Sequence, residues 1–390
     1  MAAAPPTSSS PTTTLTAGIQ QPHPLKGIVN SNDDPTRCAA CSGFLQDLGD
    51  AFVGNCCGRA VCLSCVDVED EQLNHCPQCN CPFGRAPKEI AACLKKHSKK
   101  GHPWAQVRLA GFYCGEDGIR RSHSEALHWN REAAKRGHPL AMEFIGLYFL
   151  RGTGGCPVDL HQAQEYFEAG LRASKNSCAD TDVSCREGLV EVAEHHYEAK
   201  SFEKARSILL PLAEEGLSSE AQLLLGHVLM RRGADPDRFA SALFWYSSVA
   251  LGGDTAALQG NAEYSAMFCC EELRKFAQAK VWARIVKKTL RHPKLKDQVR
   301  ATRVKLLVLF HRELRALRDT CGGCGAEFEG KERKFCRACR AYCYCSRECQ
   351  KMHWNRKEGG HREDCKGASE LKQKMKEKKK AEAIKSSEGK

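Results

Sequence analysis

Gly101-His102-Pro103-Trp104-Ala105 recurs, 36 residues on, as Gly137-His138-Pro139-Leu140-Ala141. Glycine closes a helix cheaply because it adopts the left-handed conformation without Cβ strain. A proline two residues later sits where the next helix starts, and its missing N–H costs no bond there. A second pair matches further on: Ala126-Leu127-His128-Trp129 with Ala242-Leu243-Phe244-Trp245, and Ala105 aligns with Ala221 at the same offset. Self-similarity at such a period marks a helical solenoid. Small residues at Ala110, Gly146 and Gly226 predict close helix approach. Trp129, Tyr166 and Trp245 are predicted to fill the space between helices. Asp159 and Asp237 precede second helices as predicted N-terminal caps.

These features resemble Sel-one-like repeats, relatives of the tetratricopeptide repeat. The strongest copies run Ala105–Gly137, Ala141–Gly170 and Ala221–Gly253. A weaker one runs Gly188–Gly216 with Tyr197, Phe202, Ala205 and Leu209 in place. A degenerate one passes through Ala257, Tyr264, Phe276 and Trp282. Arg300–Leu317 reads as one more amphipathic helix, with Val304, Leu307, Phe310, Leu314 and Leu317 inward. The predicted solenoid spans 95–318, and its concave surface is the place for partner proteins.

The run after it is cysteine-rich: Cys321-x2-Cys324, Cys336-x2-Cys339, Cys345-x3-Cys349 and His361-x3-Cys365. Four pairs supply eight soft or imidazole donors, the count for two tetrahedral zinc ions. So short a segment buries too little apolar surface to fold unaided, and each structural zinc supplies roughly 10–16 kcal/mol. Closed sites leave no position for substrate, so these ions hold a shape and do not catalyse. Tyr344-Cys345-Ser346, Cys349-Gln350, Trp354 and His361-x3-Cys365 resemble the MYND zinc finger. The resemblance implies interleaved sets: Cys321, Cys324, Cys345 and Cys349 on one zinc, Cys336, Cys339, His361 and Cys365 on the other. It also implies a groove for proline-containing peptides, with Ser346, Gln350 and Trp354 as its residues. An insert at Lys357-Glu358-Gly359-Gly360 makes His353 a rival ligand, one helical turn after Cys349. His361 is preferred because it keeps the x3 spacing to Cys365. Cys343 is surplus and reads as a free thiol.

A second cluster lies in 37–87. Cys38-x2-Cys41, Cys57, Cys62-x2-Cys65 and Cys76-Pro77-Gln78-Cys79 resemble a RING-type cross-brace. Cys38, Cys41, Cys62 and Cys65 make one complete zinc site. The other has Cys57, Cys76 and Cys79, and its fourth ligand is Cys56, His75 or Cys81, with Cys56 preferred. Arg59 stands where the family has a ligating histidine, and arginine stays protonated. The family recruits ubiquitin-conjugating enzymes, so a ubiquitin ligase using the solenoid for substrate choice is the alternative function. Ser42 and Asn80 depart from the contact residues of active members.

The fold class is thus mostly α: a helical-repeat solenoid flanked by two small cysteine-rich zinc-binding modules. No run of 18 apolar residues occurs, so no membrane span is expected. The N-terminus lacks a charged segment followed by an apolar core, so secretion is not expected. The 24 cysteines therefore read as thiolate ligands and buried thiols, not disulfides. Residues 1–36, rich in Ala, Pro, Ser and Thr, are expected to be a disordered tail. Residues 366–390, with Lys372, Lys374, Lys376 and Lys378-Lys379-Lys380, are expected to be a Lys-rich disordered tail. That tail raises a third reading, a nucleic-acid-associated regulator, although no recognition helix accompanies the charge. No phosphate loop, nucleophile elbow or His-Glu-x-x-His helix occurs. The leading reading is a zinc-binding adaptor for other proteins, cytoplasmic or nuclear.

Overall fold

The computed structural model describes residues 51–53, 60–62, 87–115, 119–174, 179–231, 237–252, 256–290, 297–328, 332–357 and 359–388. The expected tail at 1–36 lies outside them. So do Cys38, Cys41, Cys56, Cys57, Cys65, Cys76 and Cys79, with His75 and Cys81. Of the N-terminal module only two strands are described, β1 (Ala51–Val53) and β2 (Ala60–Cys62). They pair antiparallel, Ala51 opposite Cys62.

The chain divides into two compact units, Met1–Gly188 and Leu189–Lys390. The first holds α1 (Pro87–Lys99), α2 (Pro103–Cys114), α3 (His123–Ala134), α4 (Pro139–Arg151) and α5 (Leu160–Ser174), each packed on the next. α6 (Ala179–Glu198) begins in it. Gly101 and Gly137 close α1 and α3 with φ of +88° and +80°, as their place before a proline predicts. Pro103 and Pro139 open α2 and α4. Asp159 caps α5, its Oδ1 accepting from the N–H groups of His161 and Gln162 at 3.0 Å each.

Two sequence expectations need correction here. Helical packing starts at Pro87 instead of residue 95, because Leu94 of α1 is fully buried against Trp104. Beside the predicted Tyr166 and Trp245, it is the next residues, Phe167 and Tyr246, whose rings are fully buried. Their places face glycines: a Cβ on Gly146 would lie 2.7 Å from Phe167, and one on Gly226 2.5 Å from Tyr246. Tyr166 stacks instead on Phe149, with centroids 5.8 Å apart.

The second unit continues with α7 (Phe202–Glu214), α8 (Ser219–Arg231), α9 (Arg238–Gly252), α10 (Ala256–Glu272), α11 (Phe276–Thr289) and α12 (Asp297–Asp319). Neighbours pack in sequence from α7 to α12. α12 buries Leu307, Phe310 and Leu314 as expected. Val304, however, is exposed, and Arg303 takes the inward place. Its Nη2 donates to Asn261 Oδ1 of α10 at 2.7 Å, so a polar partner decides which side of the helix turns in. The cysteine-rich end adds β3 (Lys334–Phe335), β4 (Cys343–Tyr344), α13 (Arg347–Asn355) and α14 (His361–Glu388). α14 corrects the expected disordered tail. The lysine run is helical because α14 packs on α11 and α9, burying Ala368 and Leu371. Lys378 Nζ also donates to the Ala250 carbonyl at 2.8 Å. Among the described residues no helix is long and apolar enough to cross a membrane.

Candidate metal centres

α12 ends two residues before Cys321, so the first ligand pair starts where the helical part stops. The antiparallel β3–β4 pair, Phe335 opposite Cys343, sets Cys336 and Cys345 at its ends. α13 brings Cys349. Its cap is Ser346, whose Oγ accepts from the Cys349 N–H at 3.2 Å. α14 carries His361 and Cys365 one turn apart. Two four-donor groups result: Cys321, Cys324, Cys345 and Cys349; and Cys336, Cys339, His361 and Cys365. They are the two sets implied from the sequence. In each, the donor atoms lie within 4.8 Å of one another.

The distances fit a metal and exclude disulfides. Sulfur pairs stand 3.8 Å apart at Cys324–Cys345, 3.4 Å at Cys345–Cys349 and 3.9 Å at Cys336–Cys365. A tetrahedral ion with about 2.3 Å bonds to sulfur places thiolates roughly 3.8 Å apart. A disulfide needs about 2.05 Å. The second set is wholly buried, while Cys324 of the first is exposed.

The hydrogen bonds decide between the two histidines. His361 Nε2 lies 3.2 Å from Cys339 Sγ, inside the second group. His353 is buried but turned away from both. Its Nε2 is 3.2 Å from the Gly359 carbonyl and its Nδ1 is 3.1 Å from Tyr344 Oη. Tyr344 Oη lies in turn 2.9 Å from His361 Nδ1. One proton arrangement satisfies the chain. Gly359 accepts only, so His353 Nε2 must donate to it. Burial lowers the His353 pKa, so its other nitrogen is bare and accepts from Tyr344. The tyrosine oxygen then accepts from His361 Nδ1–H, leaving Nε2 with a free lone pair toward the cysteines. His353 is therefore placed to orient His361 through Tyr344, the position that outer partners take beside metal-bound histidines.

The thiols of the two sets are shifted in both directions: bonds to Cys349, Cys321 and Cys324 push Cys345 up to about 12, and burial pushes Cys365 up to about 11. Burial opposes ionisation of Cys321, yet the backbone N–H groups of Cys324, Cys345 and Gly323 outweigh it and hold the thiol at about 6. The bond from the Cys339 thiol, against burial, pulls Cys336 down to about 3, while Cys339 is pushed the other way. The thiolate is the metal-binding form. Cys343 belongs to neither set; its thiol donates to the Arg318 carbonyl at 3.1 Å, and burial pushes it up.

Sequence reasoning missed what joins this module to the helices. Asp364, between two ligands of the second set in sequence, is 4% exposed. Its carboxylate accepts from the N–H groups of Ala277 and Gln278 at 2.7 and 3.0 Å. The α11 N-cap, Lys275, makes no side-chain cap bond, so Asp364 caps that helix from about ninety residues away. Tyr342 Oη donates to the same carboxylate at 2.8 Å. Lys280 of α11 donates to the Arg340 carbonyl at 2.6 Å, as does Arg318 of α12. A lone aspartate beside a cysteine carries no sequence signal for such a role. The predicted groove residues Ser346, Gln350 and Trp354 recur every four residues along one side of α13, all partly buried. The Trp354 ring meets that of His361 edge-on, with centroids 5.4 Å apart.

A family model described as Sel1 repeat matches residues 105–138, 139–173 and 219–254. These three segments are Sel1 repeats. They correspond to the pairs α2–α3, α4–α5 and α8–α9, the copies strongest in the sequence. A curated plant protein, the ERAD-associated E3 ubiquitin-protein ligase component HRD3A of Arabidopsis thaliana, is 39% identical over 62 residues. The match covers 16% of this chain and 9% of that protein, so the chain spans less than a tenth of that relative's length. A Sel1 repeat protein from Oxalobacter formigenes, at 22% identity, aligns over 52% of this chain and 79% of its own, with a TM-score of 0.33. A protective antigen of uropathogenic Escherichia coli displaying an SLR fold is 18% identical. That alignment covers 54% of this chain and 58% of the antigen, with a TM-score of 0.24.

Proposed function

We propose that the protein is a zinc-stabilised adaptor that joins other proteins. Its Sel1 repeats offer surfaces to partners, and its C-terminal module, shaped by two zinc ions, docks proline-containing peptides along α13. The observation that carries this reading is the pair of closed donor sets fixed to the last helices through Asp364. Thiolate-rich, four-coordinate sets suit zinc and leave no open position for chemistry. Cys321, Cys324, Cys345 and Cys349 would hold one ion; Cys336, Cys339, His361 and Cys365 the other. Ser346 already spends its hydroxyl on capping α13, so Gln350 and Trp354 are the stronger candidates for peptide contact. The test is retention of immobilised proline-containing peptides by the intact chain. Trp354→Ala should abolish retention at unchanged zinc content. Equal retention by that variant sinks the groove assignment.

A second reading has one observation of its own, the stretch shared with a protein named as a ubiquitin-ligase component. The N-terminal cysteines would then engage a conjugating enzyme. The intact chain should discharge a ubiquitin-loaded conjugating enzyme, and a Cys76→Ser variant should not. Inertness of the intact chain across a broad enzyme panel rejects the ligase.

A further inference from the structure

The second helix of each matched repeat buries residues at one spacing: Ala126, Asn130 and Ala133 in α3; Ala163, Phe167 and Gly170 in α5; Ala242, Tyr246 and Val249 in α9. At the middle position two repeats place a ring over a glycine of the preceding helix, Gly146 or Gly226. The first repeat places Ala110 and Asn130 there instead. Asn130 is 2% exposed, and its Oδ1 has no hydrogen-bond partner among the described residues. Where the ring would stand, a cavity of about 270 Å³ opens between α2, α3 and α4, lined by that amide. A buried amide whose oxygen is unpaired at a core position breaks the pattern of its own repeat, and such breaks concentrate at functional positions.

The other walls define the occupant. Phe144 and Leu147 give an apolar side, and Arg121 and Arg151 give cationic groups. No carboxylate lines the cavity among the described residues. The Cys114 thiol and the Tyr148 hydroxyl bond to each other at 3.1 Å and do not reach Asn130. The bare Asn130 oxygen can accept the N–H of one peptide group. A guanidinium matches a carboxylate. The volume lies just under the roughly 300–1,000 Å³ of small-molecule pockets, enough for one side chain with its peptide group.

We propose that this cavity binds a linear segment of a partner protein in which an apolar side chain lies beside an aspartate or glutamate. The peptide group meets Asn130, the apolar side chain enters against Phe144 and Leu147, and the carboxylate meets Arg121. The assignment rests on the adaptor reading and gives its repeats a partner chemistry.

Gly111 supplies a clean probe. It lines the cavity, and a Cβ there would meet nothing within 4 Å, so Gly111→Leu directs a side chain into the space from an unhindered Cβ. Replacing a helical glycine also favours the helix. The experiment is fluorescence anisotropy on the intact chain. The probes are fluorescein-labelled, end-blocked heptapeptides carrying leucine or phenylalanine beside an aspartate or glutamate, and a matched set with asparagine or glutamine instead. At least one acidic peptide should bind, and its amide counterpart should bind tenfold or more weakly. Gly111→Leu and Asn130→Leu should each weaken it tenfold or more, with Gly111→Leu unfolding at no lower temperature than the parent. Binding by no acidic peptide, equal binding of the amide set, or unchanged affinity in Gly111→Leu overturns the proposal. Retention of proline-containing peptides is predicted to be the same in the Gly111→Leu chain. Failure of the acidic panel with that retention intact therefore removes the cavity assignment and leaves the adaptor reading standing.

Discussion

Asp364 does two jobs with one side chain. Its backbone sits between His361 and Cys365 in the ligand-bearing turn of α14, and its carboxylate caps α11. Asp364→Ala leaves the Ala277 and Gln278 N–H groups short of a partner and the Tyr342 hydroxyl with the Arg274 carbonyl alone. It is expected to cost about 1–3 kcal/mol of stability. Denaturant unfolding measures the loss, and amide exchange should quicken at Ala277 and Gln278 before it does elsewhere. An unchanged midpoint would mean the cap is not used. The two histidines separate as cleanly. His361→Ala should remove one metal ion per chain, whereas His353→Gln should keep both and only weaken the second site, since it loses an outer-shell partner. Native mass spectrometry counts the ions, and loss of one in His353→Gln alone would reverse the assignment.

At the scale of elements, close approach governs the repeats. Gly226→Ala drives a Cβ to 2.5 Å from the Tyr246 ring and is expected to destabilise by about 1–3 kcal/mol, read from chemical denaturation. A neutral result would show that α8 and α9 give way freely. The glycine–proline openings of α2 and α4 were legible because they report backbone geometry, which depends on residue type alone. Spacing showed four donor pairs, and their grouping into two interleaved sets was what the resemblance to the MYND finger implied. Contacts between distant segments were not legible. Val304 and Arg303 are adjacent, and only Asn261 on another helix decides which turns inward. The lysine run of α14 reads as a solvated tail until α11 and α9 supply the surface that buries Ala368 and Leu371. Amide exchange should therefore be slow in α14 up to about Lys378 and fast beyond, where Ile384 is exposed. Uniformly fast exchange after Lys366 would restore the tail.

For the whole molecule, the repeats and the metal-ready module divide the work. Apolar helices with small residues at their crossings stack without help from a metal. The cysteine-rich end has little core of its own, among it Tyr342, Tyr344 and Ala341, and is expected to need ions to stay closed. Exposure predicts an order of loss: the set containing exposed Cys324 should yield its ion to a chelator before the wholly buried set does. The most direct measurement is the zinc content of the intact chain by native mass spectrometry, beside a Cys321→Ser and Cys336→Ser double variant. Two fewer ions in the variant, with loss of order confined at first to 321–365, is the predicted result. Equal zinc in both chains, or a metal-free parent whose C-terminal module stays ordered in strong chelator, would contradict the account.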